Sequence, residues 1–307
     1  MTEPLYAAFD LGGTNLKHGL VDAKGGLVRK GSLPTPAKWA EVVEVIAGLW
    51  KNFRHEAKGR LAGAGFGFPG IYSFQDKKIL QSPNYAQLDN VDLQAALSKI
   101  VDEPFVVDND ANMAAYGEWR CGAGRGTKSM ILLTIGTGIG SGLILNGALW
   151  AGRCGFAGEL GHITVNPDGD PCQCGSQGCL ETEAAAPKIV RNYKDLSKTK
   201  KSIKAEEVYD KAIRGEVAAI KAFTIAGTYL GIALGIAINL LNPEKIVLGG
   251  GVMMTGDLLL QAALEEAKRR SYKAAYACCS IEKAILGNDA GLIGAALRAQ
   301  ALTRKRR

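Results

Sequence analysis

Asp10-Leu11-Gly12-Gly13-Thr14-Asn15 lies between the apolar run Tyr6 to Phe9 and a second candidate strand, Lys17 to Val21. A strand that enters a glycine-rich turn and leaves as another strand reads as a hairpin. The turn carries a carboxylate, two glycines and a hydroxyl. The same arrangement returns at Thr134-Ile135-Gly136-Thr137-Gly138, between Met130 to Ile135 and Gly142 to Leu145. At one fixed offset Gly12 matches Gly136, Leu20 matches Ile144, Val21 matches Leu145 and Asp22 matches Asn146. Two such hairpins predict two related halves whose turns face each other across a cleft.

Working outward, strand candidates fall at Leu27 to Lys30, Leu61 to Phe68, Phe105 to Val107, Lys245 to Leu248 and Ile281 to Ile285. Helical periodicity marks Trp39 to Phe53, Val91 to Ile100, Ala111 to Trp119 with Asp110 as its N-cap, a helix from about Thr255, and Ala290 to Ala301. Strands followed by helices, twice over, predict an α/β protein. Ile225 to Leu241 has no charged residue but is shorter than a membrane span. Gly227, Gly231 and Gly235 line one side of it, so it is expected to be a buried core helix.

Glycine lets the backbone approach a phosphate and aim several N–H groups at it. Asp10, Gly12, Gly13, Thr14 and Asn15 fit that use, Asp10 being placed to hold Mg²⁺ directly or through water. Gly136, Thr137, Gly138 and Gly140 form a second candidate cradle, and Gly249, Gly250 and Gly251 a third, after the strand ending at Leu248. The chain has no Gly-Lys dipeptide and hence no Walker A loop. Gly65 to Gly70 matches a dinucleotide fingerprint by letter, but Pro69 removes an N–H where the pyrophosphate would need one.

Asp108-Asn109-Asp110-Ala111-Asn112 places carboxylates where a strand gives way to a helix. Phosphoryl transfer to an alcohol needs a carboxylate beside the attacking hydroxyl, and Asn109 could bond a neighbouring one. Glu159-x-x-His162 followed by Cys172-x-Cys174-x₄-Cys179 supplies three thiolates and an imidazole, the usual ligand set of structural zinc. Gly175 and Gly178 let that loop wrap an ion. Glu159 and Glu181 bracket the cluster and could accept hydrogen bonds from sugar hydroxyls.

The chain has 307 residues, 47% hydrophobic and 22% charged, as in ordinary globular proteins with room for two domains. Its net charge of +7 owes part to Arg304, Lys305, Arg306 and Arg307 and part to the stretch from Lys188 to Lys204, both read as solvated. Seven cysteines, an odd number with three close together, favour a reducing cytoplasm and a metal site over disulfides. No secretory signal is visible.

Taken in order, these motifs resemble the ROK family (repressor, open reading frame, kinase) over nearly the whole chain. The resemblance implies a two-domain actin/hexokinase-like (ribonuclease H-like) fold with an inserted zinc loop. Residues 1–112 plus 291–307 are expected to form a small domain and 113–290 a large one. By the same resemblance Asp110 is the catalytic base. Gly70, Asn84, Asn109, Asp110, Glu159, His162 and Glu181 contact the sugar. His162, Cys172, Cys174 and Cys179 bind zinc, and the three glycine turns hold ATP with Mg²⁺.

Repressors of the family carry a helix-turn-helix ahead of the sugar-binding part. Here the first motif begins at residue 10, so a kinase is expected, with neither nucleic acid nor membrane as partner. The expected enzyme is cytoplasmic and forms a homodimer or homotetramer. The sequence at Ser82-Pro83-Asn84 and Gly155 to Glu159 is most similar to bacterial glucokinases. N-acetylglucosamine, N-acetylmannosamine, fructose and allose are the alternatives, and a non-catalytic sugar sensor is the competing class.

Overall fold

The computed structural model describes residues 3–82, 85–254 and 257–305. In chain order the first elements are β1 (Leu5–Leu11), β2 (Asn15–Asp22), β3 (Leu27–Pro34), α1 (Trp39–Ala57), β4 (Leu61–Phe68), β5 (Ile71–Ser73), β6 (Lys78–Gln81), α2 (Leu93–Leu97), β7 (Phe105–Asn109) and α3 (Asp110–Cys121). Then come β8 (Met130–Ile135), β9 (Ile139–Leu145), β10 (Ala148–Leu149), α4 (Leu180–Ala184), α5 (Ala186–Ser197), α6 (Ala205–Ile213) and α7 (Val217–Leu241). The last are β11 (Lys245–Gly249), α8 (Gly251–Met254), α9 (Leu258–Arg270), α10 (Lys273–Ala277), β12 (Ser280–Lys283) and α11 (Ala290–Lys305).

The repeat read from the two glycine turns extends to whole sheets. One sheet has the order β3-β2-β1-β4-β7 and the other β10-β9-β8-β11-β12. In the first, β1 pairs antiparallel with β2 and parallel with β4. In the second, β9 pairs antiparallel with β10, and β11 pairs parallel with both β8 and β12.

The chain folds as two compact units. One comprises Met1–Gly126, Gly142–Gly158 and Leu286–Arg307, the other Thr127–Ser141 and Glu159–Ile285. The boundaries expected at 112/113 and 290/291 fall inside α3 and α11. Those two helices belong to the first unit and pack on each other, Gly294 lying against the Met113 carbonyl.

β1 shows why the first unit is layered. Its alternate side chains Ala7, Phe9 and Leu11 join Val42, Ile46, Trp50 and Phe53 of α1 in one core. Tyr6 and Ala8 face the other way and pack with Met113, Leu292, Ala295 and Ala299 of α3 and α11. Side chains of a strand alternate between faces, so a run that is apolar from Leu5 to Phe9 needs cover on both sides.

In the second unit α7 packs along α9. A Cβ on Gly227 would lie 2.5 Å from the Leu259 carbonyl oxygen, and one on Gly231 would lie 2.6 Å from that of Ala263. The glycine stripe therefore permits close helix contact. By length and composition α7 could cross a membrane, and half of its most apolar stretch is buried inside the protein.

Two local expectations differ from the structure. The N-cap of α3 is Asn109, whose side chain accepts from the Ala111 and Asn112 N–H groups; Asp110 is already helical. The helix expected from Val91 to Ile100 spans only Leu93–Leu97, because the Ile100 and Val101 N–H groups both turn back to the Leu97 carbonyl. The start expected near Thr255 lies outside the described residues, between α8 and α9.

Candidate active site and metal centre

In the first unit, the turn after β1 is closed by its own backbone. Gly12 N–H donates to the Asn15 carbonyl at 2.8 Å. Thr35, just past β3, donates its hydroxyl to the Gly12 carbonyl at 2.7 Å and its N–H to the Thr14 carbonyl at 2.9 Å. Asp10 sits below the turn, with Lys17 Nζ 3.5 Å from its Oδ2. Burial pushes the Asp10 carboxyl up, and Lys17 opposes the shift. A cation bound there would favour the ionised form further. Lys17 carries no motif of its own; its only sequence signal is the register of β2 opposite β1, which pairs it with Asp10.

The strand-to-helix junction β7–α3 presents Asp110 as the first residue of α3, half-buried. Asn109 is heavily used. Its Oδ1 caps α3 and its Nδ2 donates to the Gly70 carbonyl at 3.0 Å. Among the described residues the Gly70 carbonyl is the one acceptor of this amide. Gly70, at φ +106°, is packed against Gln81 and Ser82 where a side chain could not fit. Asn109 and Gly70, expected as sugar contacts, thus come together, while Asn84 lies outside the described residues.

Asp108 enters the sequence reading only as part of the cluster. It is fully buried and accepts from the Asn109 N–H at 2.8 Å and Asn112 Nδ2 at 2.9 Å, with Arg298 Nη2 at 3.4 Å. Burial pushes its carboxyl up and Arg298 pulls it down. These bonds fix the backbone from which Asp110 projects.

In the second unit the β8–β9 turn is closed by Gly136 N–H donating to the Gly138 carbonyl at 2.9 Å and is also held from outside. The Glu181 carboxylate accepts the Ile139 N–H at 2.8 Å and lies against Gly138. The Gly136 carbonyl accepts the Ala186 N–H at 2.9 Å. Gly136, Thr137 and Gly251 share the lining of one cavity of about 280 Å³ with Ala186, Glu206 and Phe223. A Cβ on Gly251 would meet nothing within 4 Å, and one on Gly136 only the Gly138 oxygen at 4.0 Å. Neither has a positive φ, so packing and backbone strain do not explain these glycines; the space is kept clear. Gly249 and Gly250 differ, for both lie against neighbouring chain and Gly250 has φ +89°.

His162, Cys172, Cys174 and Cys179 bring their ligand atoms within 4.8 Å of one another. Cys172 Sγ is 3.5 Å from His162 Nδ1, and Cys174 Sγ is 3.6 Å from Cys179 Sγ. Zinc–ligand bonds of about 2.0–2.3 Å at tetrahedral angles put neighbouring donor atoms about 3.6–3.8 Å apart. The donor set and spacing therefore fit zinc. Burial first, then the neighbouring thiols Cys174 and Cys172, push Cys179 up to about 12. A divalent cation is what would ionise so crowded a set. Gly175 and Gly178 both have positive φ, and Gly178 touches the Asn166 carbonyl. Asp170 ties the loop to α5, accepting from Lys188 at 2.5 Å and Arg191 at 2.9 Å.

Cys179 is also the N-cap residue of α4, and Glu181 stands in the first turn of that helix. The metal cluster and the Gly136–Gly140 turn are thus joined through one short helix. The Glu159 carboxyl is raised by burial, lowered by the His162 imidazole and raised by Glu181. Glu159, His162 and Glu181 thus form one electrostatic group.

Sequence reasoning missed Thr35, Lys17, Glu206 and Phe223. The cavity walls come from α5, α6, α7 and α8, with no local spacing to announce them.

The chain is similar to known proteins along nearly its whole length. The ROK family description matches residues 6–301. A glucokinase from Halalkalibacterium halodurans is 37% identical over 96% of this chain and 94% of its own. The structure of a ROK hexokinase from Thermus thermophilus superposes with a TM-score of 0.88 at 33% identity, covering 98% of this chain and 99% of that one. A ROK glucokinase from Streptomyces griseus, crystallised with glucose and AMPPNP, gives 0.82 at 32% identity over 97% and 99%. With the match running through both glycine turns, the junction at Asp110 and the Cys₃His loop, the chain belongs to the ROK family.

Proposed function

We propose that this sugar kinase is an ATP-dependent glucokinase, converting glucose to glucose 6-phosphate in the cytoplasm. The observation that carries the nucleotide part is the cavity whose wall includes Gly136, Thr137 and Gly251, two of them glycines with no internal reason to lack a side chain. The relative from S. griseus, crystallised with glucose and AMPPNP, supports the choice of sugar and donor.

In this reading the nucleoside enters the cavity beside Phe223, and Glu206, an acceptor, faces its hydroxyl pair. The N–H groups of the Gly136 to Gly140 and Gly12 to Asn15 turns take the phosphates. Mg²⁺ bound to ATP would neutralise phosphate charge, with Asp10 as its protein partner. The sugar hydroxyls bond to Asn84, Asn109, Glu159, His162 and Glu181. Asp110 accepts the proton of the attacking hydroxyl as that oxygen bonds to the γ-phosphorus and the bond to the ADP oxygen breaks. Zinc held by His162, Cys172, Cys174 and Cys179 would be structural, fixing α4 and hence Glu181.

Asp110→Asn is expected to lower kcat by about 10²- to 10⁴-fold while glucose binding, measured by calorimetry, persists. Near-normal turnover in that variant would remove Asp110 from the role. ADP release across glucose, N-acetylglucosamine, N-acetylmannosamine and fructose tests the sugar, and glucose is expected to give the highest kcat/KM.

A further inference from the structure

α11 is apolar where it meets the first sheet. Leu292, Ala295, Ala296 and Ala299 are buried there with Met113 of α3. Arg298 breaks the pattern. Its side chain is 27% exposed, yet Nη2 comes to 3.4 Å from Oδ2 of the fully buried Asp108, 190 residues away in sequence. The guanidinium lies over the Tyr116 ring, its carbon 5.4 Å from the centroid. Among the described residues its buried Nε has no hydrogen-bond partner. The side chain is thus placed for the Asp108 carboxylate and not to satisfy its own donors.

Such a pair is a poor source of stability. Taking both ions out of water offsets most of their attraction, and apolar residues of the same volume commonly do as well or better. Burial pushes the Asp108 carboxyl up even with Arg298 beside it, so at neutral pH its ionised form weakens the fold. What the carboxylate supplies is direction. Its Oδ1 accepts from the Asn109 N–H at 2.8 Å and from Asn112 Nδ2 at 2.9 Å. Asn109 Oδ1 in turn accepts from the Ala111 and Asn112 N–H groups. These bonds tie residues 108, 109, 111 and 112 together, with Asp110 between them.

The titratable groups that face Asp108 are Arg298 from α11 and Tyr72 from β5. Burial first, then Asp108 and Asp92, push the Tyr72 phenol up to about 12, so it stays neutral and Arg298 supplies the positive charge.

We propose that Arg298 is a positioning residue for phosphoryl transfer: reaching from α11, it fastens Oδ2 of Asp108, so that Oδ1 sets the first turn of α3 and aims Asp110 at the attacking hydroxyl. This role rests on Asp110 being the base. All the residues involved belong to the first unit.

Arg298→Met removes the charge and keeps the stem. Without Arg298 the buried Asp108 carboxyl takes up its proton at higher pH. The acid limb of the kcat profile should therefore move up by about one unit or more, with kcat about tenfold low below neutrality and recovering as pH rises. Arg298→Lys keeps the charge and should bring the limb back toward wild type. Arg298→Met also strands a buried carboxylate and weakens the fold. The double variant Arg298→Met with Asp108→Asn removes both charges; it should melt close to wild type while kcat stays about tenfold low, its bonds to Asn109 and Asn112 being neutral and weaker. Hydrogen exchange at the Ala111 and Asn112 amides should quicken in both variants and stay unchanged in Asp110→Asn. A wild-type kcat profile in Arg298→Met overturns the proposal, as does wild-type turnover in the stable double variant. Unchanged exchange in Arg298→Met overturns the positioning itself. Near-normal turnover in Asp110→Asn overturns the assignment of the base, and with it the catalytic half of the proposal.

Discussion

The two glycine turns that begin the two sheets look alike in sequence and are held by different means. The Gly12–Asn15 turn closes on itself and on Thr35, a residue of the same sheet's edge. The Gly136–Gly140 turn also hangs from Glu181, in the first turn of the short helix starting beside Cys179, and from Ala186, just after that helix. Both turns carry a closing backbone bond, Gly136 N–H donating to the Gly138 carbonyl at 2.9 Å in the second, so the difference lies in the outer support: Thr35 for the first turn, and for the second a helix that starts at the Cys₃His cluster. A repeat conserves the hairpin, since that is what the strands dictate, and leaves its support free to differ.

The largest expected effect comes from breaking the second support. Removing the metal with a chelator, or making Cys179→Ser at a fully buried ligand, should lower activity more than about tenfold, in line with the effect of losing groups that orient a metal site. Hydrogen exchange should speed up at residues 136–140 and 180–186 and stay unchanged at residues 12–15. Equal loosening of both turns would mean that the difference in support has no consequence.

Next is the contrast between a glycine that lines the cavity and one inside the first turn. Gly251→Ala adds a methyl group where the protein has nothing within 4 Å, so melting temperature should hold while the KM for ATP rises about tenfold. Gly12→Ala puts its Cβ 3.2 Å from the Asn15 carbonyl oxygen, so it should lower stability as well as ATP affinity.

Smaller again is Thr35→Val, which removes the hydroxyl from the Gly12 carbonyl and should cost about 1 kcal/mol, with exchange quickened at the first turn only.

The hairpins and the Cys₃His cluster are legible because each rests on neighbours in sequence, whereas the sheet order, which sets β1 beside β4 and β8 beside β11, does not. Cys172, Cys174 and Cys179 announce a loop around an ion, and paired glycines after an apolar run announce a turn. Asp110 reads wrongly as an N-cap because Asn and Asp are both good caps, and only the backbone shows that β7 continues through Asn109. Glu206, Phe223 and Ala186 are not legible, since three separate helices bring them to one wall. Nor is the grip of Glu181 on Ile139, which depends on where α4 points. The glycines of α7 mark its packed side.

The smallest expected effect lies away from both turns and serves as their control. Glu266 in α9 bonds to Arg269 and Arg270, and these hydrogen bonds, the Arg269 one first, bring its carboxyl down to about 2. A depressed carboxyl stabilises the fold above its unfolded value of about 4.3, and the contribution is lost as pH falls toward 2. Glu266→Gln should therefore destabilise by about 1 kcal/mol or less at pH 7, with the difference from wild type vanishing near pH 2 and no change in either turn.

The central claim is phosphoryl transfer from ATP to glucose by a fold whose glycine turns are built to hold phosphates. It is tested most directly by incubating the protein with Mg-ATP and glucose and identifying the products by phosphorus NMR. The account predicts glucose 6-phosphate and ADP in equal amounts. Glucose binding with no ADP formed, from protein shown to be folded and metal-loaded, would contradict it.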